Sequence, residues 1–266
     1  MSRLTPILER RREAVAAARA LRPLEALQDA LAARAETARD RACEFRVRDF
    51  RGALAAPGLS IIAELKRRSP SGGSLKPGAD AGATAASYYG AGARALSVLT
   101  EPEHFGGAIE DLKAARAVAP VPVLRKDFIV DSYQIAESRL AGADAILLIV
   151  AALGERTAEF VARAAEAELH ALVEVHDQRE LRTALDAGAE IVGINNRNLT
   201  DLSVDLGVFE RLAPLVPRGV VAVAESGIEV RADAVRMRRA GADALLVGTA
   251  LMRAPDPGLK LREFLA

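Results

Sequence analysis

The chain has 266 residues, 50% of them hydrophobic, and 36 Lys+Arg balance 36 Asp+Glu to a formal net charge of zero. That balance argues against a broad electrostatic grip on nucleic acid or an anionic membrane, and the apolar content excludes a disordered chain. The single cysteine, Cys43, excludes a disulfide framework and any cysteine-based zinc or iron–sulfur site.

Residues 1–45 are rich in the helix formers Ala, Arg, Leu and Glu, and Pro23 divides them. Two helices are expected, near 3–20 and 24–42, as an N-terminal extension packed on whatever follows. Charges interrupt this stretch, so it does not read as a signal peptide. No segment approaches the roughly 20 apolar residues of a membrane span, and a cytoplasmic protein is expected. The first strand is expected at LSIIAELKR, from Leu59. Four related strings then recur: AGARALSVLT from Ala91, AGADAILLIV from Ala141, AGAEIVGINN from Ala187 and AGADALLVGT from Ala240. In each, a glycine ends an Ala-rich helical stretch, and the apolar run after it has the look of a buried parallel strand. The glycines are about 50 residues apart, which leaves room for two strand–helix units per step, since one takes roughly 25–30 residues. The intervening strands fall at VPVLRKDFIV, HALVEVHD and GVVAVAESGI.

Eight apolar runs result, near 60–65, 95–99, 122–126, 144–149, 171–175, 190–194, 219–224 and 243–247. Eight strands alternating with helices predict a (β/α)8 TIM barrel over 46–266, class α/β, behind the extension of 1–45. A doubly wound open sheet is the alternative, but the Gly-rich phosphate turn it usually carries after the first strand is missing. The chain stops soon after the eighth unit, so no fused second enzyme is expected.

A barrel of this kind places its chemistry at the C-terminal strand ends. There stand Glu64 and Lys66 after strand 1, Lys126, Asp127 and Phe128 after strand 3, and Glu174 in strand 5. Asn195, Asn196 and Arg197 follow strand 6, Glu225, Ser226 and Gly227 strand 7, and Gly248 and Thr249 strand 8. Unpaired burial of such charges costs several kcal/mol. They either form a structural ion-pair network or face a wet functional cavity. Lysine is rare here, confined to Lys66, Lys76, Lys113, Lys126 and Lys260, and an ammonium can release a proton where a guanidinium cannot. The small residues and hydroxyls of AESGI and VGTALM, with Ser69 and Ser71 of the first loop, suit a phosphate held by backbone amides. His104, His170 and His176 show no metal-ligand spacing, so no metal is assigned. His170 and His176 flank strand 5 and read as surface or loop residues.

The ordered set IAELKRRSPSGG (62–73), SVLTEPEHFGG (97–107), VLRKDFIVDSYQI (123–135), LVEV (172–175), GINNRNL (193–199), AESGI (224–228) and LVGTALM (246–252) resembles the indole-3-glycerol phosphate synthase family. The resemblance runs along the whole barrel and includes the helical extension. It implies ring closure, decarboxylation and dehydration of 1-(2-carboxyphenylamino)-1-deoxyribulose 5-phosphate. On the matching positions it implies Lys126 as general acid and Glu174 as general base. Lys66 becomes a second cation near the substrate carboxylate, and Glu64, Asn195 and Glu225 orient substrate and lysines. Arg197 is implied beside the anthranilate ring and Phe128 in its pocket, and Ser69, Ser71, Ser226, Gly227, Gly248 and Thr249 around the phosphate. Thr249 departs from the residue expected there, which touches only a side-chain hydroxyl role, and Asn196 receives no role.

The implied chemistry needs no electron sink, so no cofactor is expected. The expected partner is a small phosphorylated substrate, with no nucleic acid and no membrane, for a monomer or weak homodimer. Two other readings stay open: a Schiff-base aldolase barrel using Lys66 or Lys126, and a barrel kept only as an interaction partner.

Overall fold

The computed structural model describes residues 4–38 and 46–266. Eight parallel strands close into a barrel: β1 (Ser60–Leu65), β2 (Ala95–Leu99), β3 (Val123–Lys126), β4 (Ala145–Ile149), β5 (His170–Val175), β6 (Ile191–Asn195), β7 (Val221–Glu225) and β8 (Ala244–Val247). Each strand pairs with its sequence neighbours, and β1 closes on β8 through Ser60–Ala244 to Ala63–Val247. The open-sheet alternative is thereby excluded. Several strands begin one or two residues later than their apolar runs. Asp144 and Asp243 precede β4 and β8, and their carboxylates accept the Val123 and Ala222 N–H groups at 2.8 Å.

Strand alternation sets what faces inward. Ile62, Ala95, Leu124, Ala145, Leu172, Ile191, Val223 and Ala244 form the inner core, while Ile61, Ala63, Val173, Val192 and Leu245 pack outward against the helices. Two residues beyond Ile62, Leu124, Leu172 and Val223, the same inward register reaches Glu64, Lys126, Glu174 and Glu225. The apolar layers therefore support one polar layer at the C-terminal rim.

The N-terminal extension contributes α1 (Leu4–Leu21) and α2 (Leu24–Ala38), parted at Pro23. The expected continuation of α2 to residue 42, the boundary at 45/46 and Cys43 lie outside the described residues. Leu4 and Leu8 pack on Val130 and Phe128, and Val15 and Leu27 on Tyr133. Arg11 donates to Asp127 at 2.6 Å, which ties α1 to the end of β3. A short helix the sequence reading did not foresee, α3 (Phe50–Ala55), inserts Phe50 and Leu54 into the N-terminal end of the barrel as a plug, both fully buried.

Candidate active site

The C-terminal mouth encloses a cavity of about 410 Å³. Its lining brings together Glu64, Lys66, Ser69, Ser71, Lys126, Phe128, Glu174, Asn195, Arg197, Glu225, Ser226, Gly227, Gly248 and Thr249. These residues come from six different strand ends spread between Glu64 and Thr249, and barrel closure makes them neighbours.

Lys126 is the hub. Its Nζ donates to Glu174 Oε2 at 2.9 Å and to Glu225 Oε2 at 2.7 Å. Lys66 Nζ pairs with Glu64 Oε1 at 2.8 Å, and the Ser97 hydroxyl reaches Glu64 Oε2 at 3.5 Å. Burial by itself pulls the Lys126 ammonium downward, but the surrounding charges of Glu174, Glu225 and Glu64 outweigh it, so the group sits above its ordinary value and stays charged. Two carboxylates sharing one ammonium cannot both ionise on equal terms. Burial drives Glu225 up to about 7, with Glu174 and Glu64 adding to the rise against the pull of Lys126. Burial pushes Glu174 the same way, but Lys126 and His176 overcome it and hold the group well below the usual carboxylate range. One carboxylate is thus firmly ionised, and the other is poised to gain or lose a proton near neutrality. Glu225 Oε1 is buried without a hydrogen-bond partner among the described residues.

Space for Glu225 comes from Gly193 on the adjoining β6. A Cβ there would lie 3.1 Å from Glu225 Cδ and closer still to Oε1. Asn195 and Asn196 divide by strand alternation. Asn195 lines the cavity, and its Oδ1 accepts the Arg197 N–H at 3.0 Å. Asn196 is buried on the other side, donating to the Glu225 and Ser226 carbonyls at 3.0 and 3.2 Å and accepting from Phe209 N–H at 3.0 Å. It pins the β7 turn, a task the sequence reading left unassigned. Ser226 and Gly227 in that turn hold positive φ, 64° and 79°. For serine this is a sparsely populated conformation, and it bends the chain under the cavity.

The Ser69 hydroxyl is engaged within its own loop, accepting Gly72 N–H at 3.0 Å in a small hairpin of Arg68–Ser69 and Gly73–Ser74. Arg197 donates to the Leu202 carbonyl at 2.8 Å, and burial lowers its guanidinium despite opposing charges from Glu229 and Glu64. The opposite wall is apolar. Phe128 meets Phe105 at 6.2 Å between ring centres, and Leu147, Ile149, Leu199 and Leu4 of α1 line the cavity beside them. Of this wall only Phe128 is named by the sequence resemblance; the others escape it, because apolar residues at strand ends carry no signal apart from the core.

His170 departs from the expected surface or loop position by standing within β5, whereas His176 lies in the loop that follows it. His170 opens β5 and meets the Phe50 ring at 6.5 Å. The His176 side chain is only 15% exposed and faces Glu174.

A closed parallel barrel whose rim joins paired ammonium and carboxylate groups to an apolar wall belongs to the acid–base enzymes built on the (β/α)8 fold. Among solved structures, it resembles a thiamine phosphate pyrophosphorylase from Pyrococcus furiosus with a TM-score of 0.60 at 20% identity, over 81% of this chain and 96% of that one. An N-acetylmannosamine-6-phosphate 2-epimerase from Clostridium perfringens gives 0.61 at 14% identity, over 78% and 92%. These likenesses concern the fold alone.

Sequence relatives narrow the class. The chain belongs to the indole-3-glycerol phosphate synthase family, whose model matches residues 4–264. It is 47% identical over 267 residues to an indole-3-glycerol phosphate synthase of Kineococcus radiotolerans, covering 100% of this chain and 96% of that one. It is 52% identical over 225 residues to one of Parafrankia sp., covering 83% and 82%.

Proposed function

We propose that the rim cavity is where this chain carries out the family's reaction. There 1-(2-carboxyphenylamino)-1-deoxyribulose 5-phosphate closes to indole-3-glycerol phosphate, with release of CO2 and water. The observation that carries this reading is the sharing of Lys126 between Glu174 and Glu225, with the Lys66–Glu64 pair lining the same cavity.

In the first step the ring carbon that bears the carboxylate attacks the keto carbon, and negative charge develops on the keto oxygen. The Lys126 ammonium supplies the proton. Its raised affinity for protons is no obstacle, because the developing alkoxide is far more basic than an amine. Loss of CO2 restores aromaticity. A proton then leaves the new ring's CH2 and the hydroxyl departs as water. Glu174, held ionised, is the base in this reading, and Glu225 steers the lysine between its two partners. Lys66 stands ready for the substrate carboxylate once Glu64 yields one of its contacts, and it can share acid duty as the hydroxyl leaves. The space beside Phe128 and Arg197 takes the anthranilate ring. The phosphate falls to Ser69, Ser71, Ser226, Gly227, Gly248 and Thr249, chiefly through backbone N–H groups. No step calls for an electron sink, so no cofactor is invoked.

No described helix is long and apolar enough to cross a membrane. A cytoplasmic enzyme, monomeric or weakly dimeric, accords with a small-molecule biosynthetic role, and sedimentation velocity tests the oligomeric state.

The decisive experiment is incubation with the ribulose phosphate while indole fluorescence is followed. Turnover is expected, and its absence would overturn the reading. Borohydride trapping with a keto-sugar phosphate separates it from the aldolase alternative, which requires a covalent adduct on Lys66 or Lys126. A phosphate-free substrate should bind far more weakly, and equal affinity would remove the phosphate loops from the site.

A further inference from the structure

Directly after β5 the chain turns, and the His176 imidazole comes to rest between two carboxylates. Its Nδ1 is hydrogen-bonded to Glu180 Oε2 at 3.0 Å, and its Nε2 faces Glu174 Oε1 at 3.4 Å as an ion-pair contact without hydrogen-bond geometry among the described residues. Glu180 grips the residue twice, because the same oxygen accepts the His176 backbone N–H at 2.8 Å. Glu180 sits in the first turn of the helix Gln178–Asp186, whose capping residue Asp177 accepts the Glu180 N–H at 2.8 Å. Glu180 is therefore fixed by backbone geometry, and it fixes the imidazole in turn. The side chains of Glu174, His176 and Glu180 are 4%, 15% and 11% exposed.

Glu174 consequently has a cation for each oxygen, Lys126 at Oε2 and His176 at Oε1. The two cations differ in what the reaction asks of them. Lys126, on the reading above, gives its proton to the keto oxygen and becomes a neutral amine. Without His176, Glu174 would then have no counter-charge and, being buried, would take up a proton and cease to be a base. His176 does not line the cavity, whereas Glu174 does, so the imidazole charge is not consumed.

We propose that His176, clamped by Glu180, is a positioning residue that keeps Glu174 ionised and oriented while Lys126 is discharged. This rests on the roles given to Lys126 and Glu174 in the proposed function. The electrostatics agree. Burial draws the imidazole down, but the carboxylates of Glu174 and Glu180 prevail and lift it to about 10, so it is a cation at neutral pH. The charged groups that face it are Glu174 near the end of β5 and Glu180 on the following helix, with Asp177 capping that helix and Lys126 across Glu174 on β3. The adjacent turn Val150–Leu153 and strand β6 carry no ionisable side chain.

The test combines three variants with histidine-selective NMR. In Glu180→Gln one carboxylate is gone, so the His176 affinity for protons should fall by about one to three pH units. The alkaline limb of kcat should move down by the same amount with KM little changed. In His176→Gln the amide places an N–H near the former Nε2 without a charge. There kcat should fall about tenfold, through loss of orientation, while the lowered limb disappears. The double variant should match His176→Gln alone. An alkaline limb unmoved in Glu180→Gln, or still lowered in the double variant, would overturn the proposal. So would NMR showing His176 neutral at pH 7 in the unmodified enzyme. This last reading survives any variant that fails to fold. It also survives failure of the proposed function, which would show instead as no turnover by the unmodified enzyme.

Discussion

At the floor of the barrel Asp144 is completely buried, and every lone pair it offers is used. Arg116 donates to both of its oxygens at 2.7 and 2.6 Å, Arg48 N–H reaches Oδ1 at 2.7 Å, and Val123 N–H reaches Oδ2 at 2.8 Å. At the mouth Glu225 is 1% exposed, shares its lysine with Glu174 and leaves Oε1 without a partner among the described residues. Both ends hold buried carboxylates, and Asp127 at the mouth is as fully engaged as Asp144, accepting from Arg11, Thr100, Arg125 and the Phe128 N–H, but Glu225 is not. A saturated network has one low-energy proton arrangement and locks structure. An under-satisfied one, with Glu225 near 7 and Glu174 forced the other way, has several arrangements close in energy, which is what proton transfer requires.

This contrast is open to attack from both ends. Lys126→Ala should lower kcat by about 10²–10⁴-fold while the fold persists, as followed by indole fluorescence and circular dichroism. A rate within a factor of about three of the unmodified enzyme, well short of that loss, would place the acid elsewhere. Asp144→Ala strands the Arg116 charge at the floor and should cost about 3–5 kcal/mol in urea unfolding, with the folded fraction still turning over normally. Unchanged stability would mean that floor and mouth are not different in kind. Gly193→Ala forces Glu225 aside and should cost about 1–3 kcal/mol with a parallel loss of kcat, and a variant that lost neither would show that Glu225 has room to spare.

The smallest expected effect concerns pH. A carboxyl raised to about 7 in the folded state costs no stability below its unfolded value, and a growing penalty as pH rises from there through 7. Glu225→Gln removes that penalty. Its melting temperature should gain on that of the unmodified enzyme between pH 5 and 8, by the equivalent of roughly 1–2 kcal/mol, even as activity falls. A constant difference across that range would mean Glu225 is ionised throughout.

The strands were legible because a glycine-capped helix followed by an apolar run is a local pattern repeated down the chain. Their first residues were not, since Asp144 and Asp243 serve side-chain contacts that depend on the neighbouring strand. The plug α3 escaped notice because six residues are too few to show a helical period. In the candidate site, charged residues ending apolar strands stood out, and the cavity lining gathers them. Which asparagine of the 195–196 pair turns inward needed the register. His176 escaped because its meaning lies in Glu180, reached only once the turn into the next helix brings the two together. Apart from Phe128, the apolar wall stayed hidden for the reason any core does, that its residues look like their neighbours.

Closure of β1 on β8 bears on how the chain is made. During synthesis β1 emerges before the other seven barrel strands, but its second pairing partner, Ala244–Val247, follows only after all the rest. Until then one edge of an apolar strand, Ile61 to Leu65, hangs open and can be captured by another nascent copy. Ribosome-bound fragments ending before residue 244 should therefore depend on chaperones to stay dispersed, and release of the final strand should end that dependence.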